Sequence, residues 1–335
     1  MHYKHKVVTF SDLHSFNRQE DFILMYVSYV KRIANCWYVL CRCCLIATMI
    51  TLITLIVPFV ALMTVFRSLS SQNCFQVALV IGDVIGTAMN FQNAGSTHHT
   101  IAFLGVPFAE NTGGEKRFGK PEAKKRWQTV FNATYKRSPC CQELTSGKEL
   151  FRASLSDTTE DCLHLNIWVP TDCMEGIQRY PVVFWVYGGG FEYGGNNYDI
   201  YDGRYMSGFG NLVVVVPNYR INAFGFLNVE TQDVPGNMGF HDVILAYRWV
   251  LDHIGRFGGD RENIVLAGQS AGSIIAGLLM MSPILPPSFF SKAYLMSGSV
   301  FMKLQENSNE TALENFNKLA NEANCSMTTT TETLL

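Results

Sequence analysis

Residues 264–273 read IVLAGQSAGS. A short apolar run meets Gly268-Gln269-Ser270-Ala271-Gly272, and an almost wholly apolar stretch continues to Met281. Gly-x-Ser-x-Gly between a strand and a helix is the pattern of a nucleophile elbow, a sharp turn that lifts a serine hydroxyl off the end of a sheet. Gly268 and Gly272 leave room for a strained turn and let a helix close onto a strand. The competing reading is an ordinary strand-to-helix turn. A serine hydroxyl is a poor nucleophile until a base takes its proton. The eight histidines are His2, His5, His14, His98, His99, His164, His241 and His253, and none follows Ser270.

Outward from this turn, the segments CLHLNIWV (162–169), VVFWVY (182–187), LVVVV (212–216), NIVLA (263–267) and KAYLM (292–296) are short, apolar and rich in β-formers. Continuous apolar strands suit a sheet covered on both faces. Residues 76–108, broken by Gly82, Gly86, Gly95 and Gly105, predict a small antiparallel entry. Phe240, Val243, Ile244, Tyr247, Val250, Leu251 and Ile254 recur at helical spacing, and 271–281 reads as a second helix. Strands alternating with helices predict a mostly parallel α/β sheet. His241, Arg248 and Asp252 fall on the polar side of the first helix with His253 beside them, and both histidines are expected to be solvated.

VYGGGF (186–191) follows one of the buried strands. An acyl-transfer site must stabilise an oxyanion, and backbone N–H groups do so best where no side chain blocks approach. A merely flexible triple-glycine loop would have polar neighbours, whereas Phe184, Trp185, Tyr187 and Phe191 flank this one.

The chain has 335 residues, 48% of them hydrophobic, and a net charge of −2, which gives no hint of nucleic-acid binding. The run from 43 to 66, CCLIATMITLITLIVPFVALMTVF, holds 24 residues without a charge. As a helix it would be about 36 Å long, enough for a hydrocarbon core of about 30 Å. A cleaved signal peptide is the competing reading, but the run is long and a polar segment precedes it. Lys31, Arg32 and Arg42 lie before the run, and Arg67 is the only basic residue after it until Lys116. The expectation is a single-pass protein with 1–42 cytoplasmic, a signal-anchor span over 43–66, a linker over 67–75 and a domain over 76–335 that is extracellular or lumenal. Sequons at Asn132, Asn309 and Asn324 fit an exported domain. Six cysteines, Cys74, Cys140, Cys141, Cys162, Cys173 and Cys325, would then lie where disulfides persist. No metal or cofactor is called for.

Several stretches resemble the type-B carboxylesterases and cholinesterases: FLGVPFAE (103–110), RFGKPE (117–122), EDCLHLNIW (160–168), YGGGF (187–191), NYRINAFGFL (218–227), PGNMGFHD (235–242), FGGDRENIVLAGQSAG (257–272) and LMSGS (295–299). The resemblance runs from about residue 77 to residue 325. It implies an α/β-hydrolase fold and a serine esterase acting on a small-molecule ester. By position Ser270 resembles the acyl-forming nucleophile, and Gly189, Gly190 and the N–H of Ala271 resemble the oxyanion hole. The resemblance also implies a disulfide between Cys141 and Cys162.

The departures are as informative. In α/β-hydrolases the acid and then the histidine follow the serine, and no histidine follows Ser270. The resemblance therefore implies an esterase lacking its triad histidine and acid, a fragment or an inactive form. Cholinesterases carry a tryptophan ten residues before the cysteine of EDCL and a glutamate before the nucleophile. These positions hold Arg152 and Gln269, and neither attracts a quaternary ammonium. A general carboxylesterase is thus favoured over a cholinesterase. The alternative is a non-catalytic cell-surface adhesion or interaction protein of the same fold.

Overall fold

The computed structural model describes residues 74–302 and 309–325, apart from 94, 144–157, 176–177, 230, 232–233 and 287. The chain divides at Gln72/Asn73 into two units, and the second is described below. The expected span over 43–66 lies outside the described residues. Among the described residues, no helix is long and apolar enough to cross a membrane.

Among the described residues nine strands form one sheet: β1 (Cys74–Leu79), β2 (Gly82–Asn93), β3 (Ser96–Pro107), β4 (Phe131–Asn132), β5 (His164–Pro170), β6 (Tyr180–Val186), β7 (Val213–Pro217), β8 (Gly259–Gln269) and β9 (Lys292–Met296). Their order is β1-β2-β3-β5-β7-β6-β8-β9, with β4 paired to β2. β1 starts at Cys74, inside the stretch expected as linker. The antiparallel entry is present in β1, β2 and β3.

The sheet is mixed rather than mostly parallel. β5 runs antiparallel to both β3 and β7, and parallel pairing is confined along this path to β7, β6, β8 and β9. The reason is connection length. Only residues 171–179 separate β5 from β6, whereas a parallel crossover needs about a dozen residues or more. The mixed sheet with its helices fits an α/β-hydrolase fold.

Among the described residues five α-helices accompany the strands: α1 (Arg204–Gly210), α2 (Asn222–Phe226), α3 (Met238–His253), α4 (Ala271–Met281) and α5 (Asn309–Glu322). α1 and α3 lie on opposite faces of the sheet. Val214 and Phe184 point to opposite faces, because Phe184 pairs with Val215 and side chains alternate along a strand. Gly203, at the start of α1, lies against Val214 and Trp168. On the other face, Tyr247 of α3 meets Phe184 edge-on at 4.9 Å and donates to the carbonyl of Phe289 at 2.7 Å. All five residues of β7 and all seven of β5 are buried, as strands covered on both faces require.

α3 corrects one expectation. His241 is half-buried, but His253 is buried and packs at 4.9 Å on Trp249. It sits at the last turn of α3, where the chain folds back through Ile254–Phe257 toward β8. Burial lowers the pKa of both histidines, so the uncharged form is favoured.

Candidate active site

β8 ends at Gln269 and α4 begins at Ala271, which leaves Ser270 alone to turn the chain. Its backbone takes φ 54° and ψ −123°. A non-glycine residue held there costs on the order of 1–3 kcal/mol, and its surroundings must impose it. They do so from several sides. The Ser270 N–H donates to the carbonyl of Met296 at 2.8 Å, which ties the turn to the end of β9. The Ser270 carbonyl accepts from Ile274 at 3.0 Å, starting the helix. Ser273 Oγ donates to the carbonyl of Gly298 at 2.7 Å. A Cβ on Gly298 would collide with the Ser270 carbonyl, so the Ser-Gly-Ser stretch after β9 must stay bare there.

The two motif glycines are needed for contact. A Cβ on Gly268 would lie 2.8 Å from Ser273 N. A Cβ on Gly272 would lie 2.5 Å from the Tyr187 carbonyl and collide with that of Val186. The helix therefore rests its backbone on the end of β6, where the glycine loop begins.

That loop comes directly to the serine. A Cβ on Gly188 would lie 2.9 Å from Ser270 Cβ, 2.5 Å from the Gln269 carbonyl and 2.7 Å from Gln269 Oε1. Gly189 and Gly190 take φ 128° and 64°, left-handed conformations that favour glycine. The Gly189 carbonyl accepts from the N–H groups of Glu192 and Tyr193 at 3.0 and 3.1 Å. Among the described residues, the N–H groups of Gly189, Gly190 and Ala271 have no acceptor. Ser270 is half-buried, and its Oγ has no hydrogen-bond partner among them.

Two residues that the sequence reading passed over hold the loop. Tyr219 is fully buried, stacks on Tyr187 at 4.6 Å and donates from its hydroxyl to the Tyr187 carbonyl at 2.8 Å. Burial pushes both phenols up, so both remain protonated. Asn222, at φ 47°, donates its N–H to the Phe191 carbonyl at 2.6 Å and its Nδ2 to the Cys141 carbonyl at 2.8 Å. The available signal was an asparagine at the turn into α2, since asparagine accepts left-handed backbone more readily than most residues.

Below the loop, Arg220 and Asp242 form a buried pair. The Arg220 N–H and Nε both donate to Asp242 Oδ2 at 2.9 Å, and Nη2 donates to Oδ1 at 2.8 Å. Arg220 is 3% exposed and Asp242 fully buried.

The described histidines lie elsewhere. His98 and His99 are on β3, His164 opens β5, and His241 and His253 are on α3. His164 is buried, and desolvation pulls its pKa down to about 4.

The disulfide is Cys140–Cys162, which corrects the expected Cys141–Cys162 bridge. Adjacent side chains in extended chain point to opposite sides, and Cys140 is the one turned inward, at 1% exposure, with its backbone bridged to Thr159. Cys141 is a half-buried free thiol; Cys173 is free and buried, and Cys325 is free and exposed. Of the expected sequons, Asn132 and Asn324 are exposed. Asn309 begins α5. Arg152 lies outside the described residues.

A family model described as the carboxylesterase family matches residues 73–335. Among curated relatives, acetylcholinesterase-1 of Trittame loki is 41% identical over 259 residues, which cover 75% of this chain and 46% of the relative. Acetylcholinesterase of Electrophorus electricus is 41% identical over 225 residues, 65% of this chain and 34% of the relative. That of Danio rerio is 39% identical over 249 residues, 70% and 38% of the two. The chain thus spans about a third to a half of the length of these relatives.

Proposed function

This chain belongs to the carboxylesterase family, and we propose that it carries the nucleophile and oxyanion parts of a serine carboxylic ester hydrolase. The observation that carries the reading is the close approach of the bare Gly188–Gly190 loop to a Ser270 held at positive φ. In this reading Ser270 Oγ attacks the ester carbonyl and expels the alcohol, and water then hydrolyses the acyl-serine. The N–H groups of Gly189, Gly190 and Ala271, which have no acceptor among the described residues, receive the developing oxyanion. No histidine follows Ser270 in the sequence, and among the described residues Ser270 Oγ makes no hydrogen bond to a histidine.

The substrate is a general ester rather than a choline ester. The relatives compared above are named acetylcholinesterases, but Gln269, whose side chain lies against Gly188, is uncharged, and Arg152 would repel a cation. The domain is extracellular or lumenal, anchored by a span over 43–66. The uncharged run, the basic residues before it and the exposed sequon residues Asn132 and Asn324 support that topology.

An organophosphate probe together with aryl ester turnover tests this reading. The 335-residue chain is expected to label poorly and to turn over negligibly, because general-base assistance contributes about 10²–10⁴-fold. The same residues joined to a segment supplying the acid and histidine are expected to label one site per chain, and Ser270→Ala to abolish labelling. Full labelling of the short chain would reveal a local base. No labelling of either form would favour a non-catalytic interaction protein.

A further inference from the structure

Tyr205, Met206 and Phe209 of α1 are 52%, 48% and 47% exposed. Rings from the β2–β3 hairpin extend this apolar surface. The buried Phe91 meets Tyr205 edge-on at 4.8 Å and Phe209 at 5.1 Å. His98, paired with Phe91 across the hairpin and half-buried, meets Phe209 at 4.5 Å. A Cβ on Gly208 would lie 2.8 Å from the Phe91 ring, so α1 rests directly on the hairpin and the rings form one patch. Its surroundings carry little charge. No Asp, Glu, Lys or Arg occurs in 84–109 or in 205–219. Arg204, 6.0 Å over the Tyr205 ring, gives its Nη2 to Asp202 Oδ2 at 2.6 Å. An exposed, contiguous apolar patch marks a contact with lipid or protein.

The start of the domain points to lipid. β1 is antiparallel to β2 with Cys74 opposite Thr87, so the chain enters the sheet about 13 Å along β2 from Phe91. The uncharged run ends at Phe66. Residues 67–73 link Phe66 to Cys74 and reach at most about 29 Å when fully extended. A bilayer span over 43–66 therefore keeps this corner of the sheet near the headgroups. Asn132, the sequon on β4, pairs with Ile85, about 20 Å along β2 from Phe91. A bulky glycan there stays clear of the patch.

We propose that the patch formed by α1 and the β2–β3 hairpin seats on the lipid interface, with Tyr205, Met206 and Phe209 at headgroup level. This rests on the membrane-anchored reading proposed above. Tyrosine and other amphipathic rings favour that layer, where one end is apolar and the other wet. The lack of free charge suits a zwitterionic surface, since no ion has to leave water. The span supplies attachment, and the patch fixes which side of the domain faces the bilayer.

The test uses the full chain and does not depend on ester turnover. The protein is reconstituted into phosphatidylcholine vesicles that hold a trace of diazirine lipid. The photoreactive group sits on the headgroup in one batch and on the acyl chain in another. Labelled peptides are mapped by mass spectrometry after illumination. Tyr135 is the control: it is 49% exposed, and its neighbour Thr134 bridges Leu104, six residues beyond His98 on β3. The acyl label is expected on 43–66. The headgroup label is expected on 204–210, at least ~5-fold above the Tyr135 peptide, which lies about 20 Å further along the strand. Met206→Asp places a carboxylate at the interface and is expected to cut the label on 204–210 by at least ~3-fold, with 43–66 unchanged.

An acyl label on 43–66 with no excess of headgroup label on 204–210 would overturn the proposal and leave the span intact. A headgroup label on 204–210 without an acyl label on 43–66 would overturn the span and leave the patch as a lipid contact. Labelling of neither would overturn both. A folded Met206→Asp chain labelled as strongly as the wild type would also overturn the proposal, and if that variant does not fold, the wild-type pattern decides alone.

Discussion

Gly188 and Ser270 approach so closely that a methyl group on Gly188 would lie 2.9 Å from the Ser270 Cβ. The glycine loop and the Ser270 turn are therefore one packed unit, although 81 residues lie between Gly188 and Ser270 in the chain. Gly188→Ala forces Cβ against the Gln269 backbone. It is expected to destabilise the domain by about 1–3 kcal/mol, the usual cost of overpacking. A lowered urea midpoint at unchanged slope would register it, and an unchanged midpoint would mean that the two loops yield easily.

Breaking the Arg220–Asp242 pair should be worse. Asp242→Asn leaves a buried guanidinium uncompensated, and removal of one partner of a buried pair costs about 3–5 kcal/mol. The double variant Arg220→Met/Asp242→Leu is expected to recover much of that loss in denaturant unfolding. Equal instability in both would show that Arg220 matters through contacts other than this pair.

Asn222 joins the Cys141 carbonyl to the loop at Phe191. Asn222→Gly keeps the left-handed backbone but removes the side-chain bond. It is expected to cost about 1 kcal/mol and to raise protease cleavage within 188–194. Asn222→Ala adds backbone strain and should cost more. Equal stability of the two would argue against the strained conformation.

His164 gives a pH signature. Burial lowers its folded pKa to about 4 from an ordinary value of 6.5. The unfolded chain therefore binds the proton first as pH falls. The stability from keeping this ring neutral is complete above about pH 6.5, falls between 6.5 and 4, and is fully lost below. Burial lowers His241 and His253 in the same direction. Urea midpoints measured from pH 7 to pH 4.5 are expected to drop, and less steeply in His164→Asn. An identical slope in that variant would assign the loss to other groups.

Topology is tested at Asn132, which is exposed and whose Oδ1 accepts from Thr134 Oγ1 at 2.7 Å. Expressed in a secretory system, the chain is expected to lose mass on glycosidase treatment, with part of that shift absent in Asn132→Gln. An unmodified Asn132, with a glycan on a sequon engineered before residue 42, would reverse the orientation.

Much of the fold and the turn was legible because it is local. β8, Ser270 and α4 follow one another in IVLAGQSAGS, and the helix bounds match those read from apolar content. Apolar runs marked β5 to β8 for the same reason: strands buried on both faces leave few places for polar residues; β9, at the edge of the sheet, carries an apolar run but is exposed from Lys292 to Leu295. Strand direction was not local, since it followed from the short link between β5 and β6. The burial of His253 was also hidden, because helical spacing records the polarity of α3 but not what packs beside its last turn.

By itself, then, the sequence determined the strand-to-helix turn at Ser270, the glycine loop and the family, because each rests on backbone freedom or apolar content within a few residues. Only the tertiary structure decided which of two adjacent cysteines bonds to Cys162, and that Tyr219 and Asn222 hold the glycine loop. Those choices depend on which groups from distant segments meet, and a side chain's facing direction is set by the sheet it joins rather than by its neighbours in the chain.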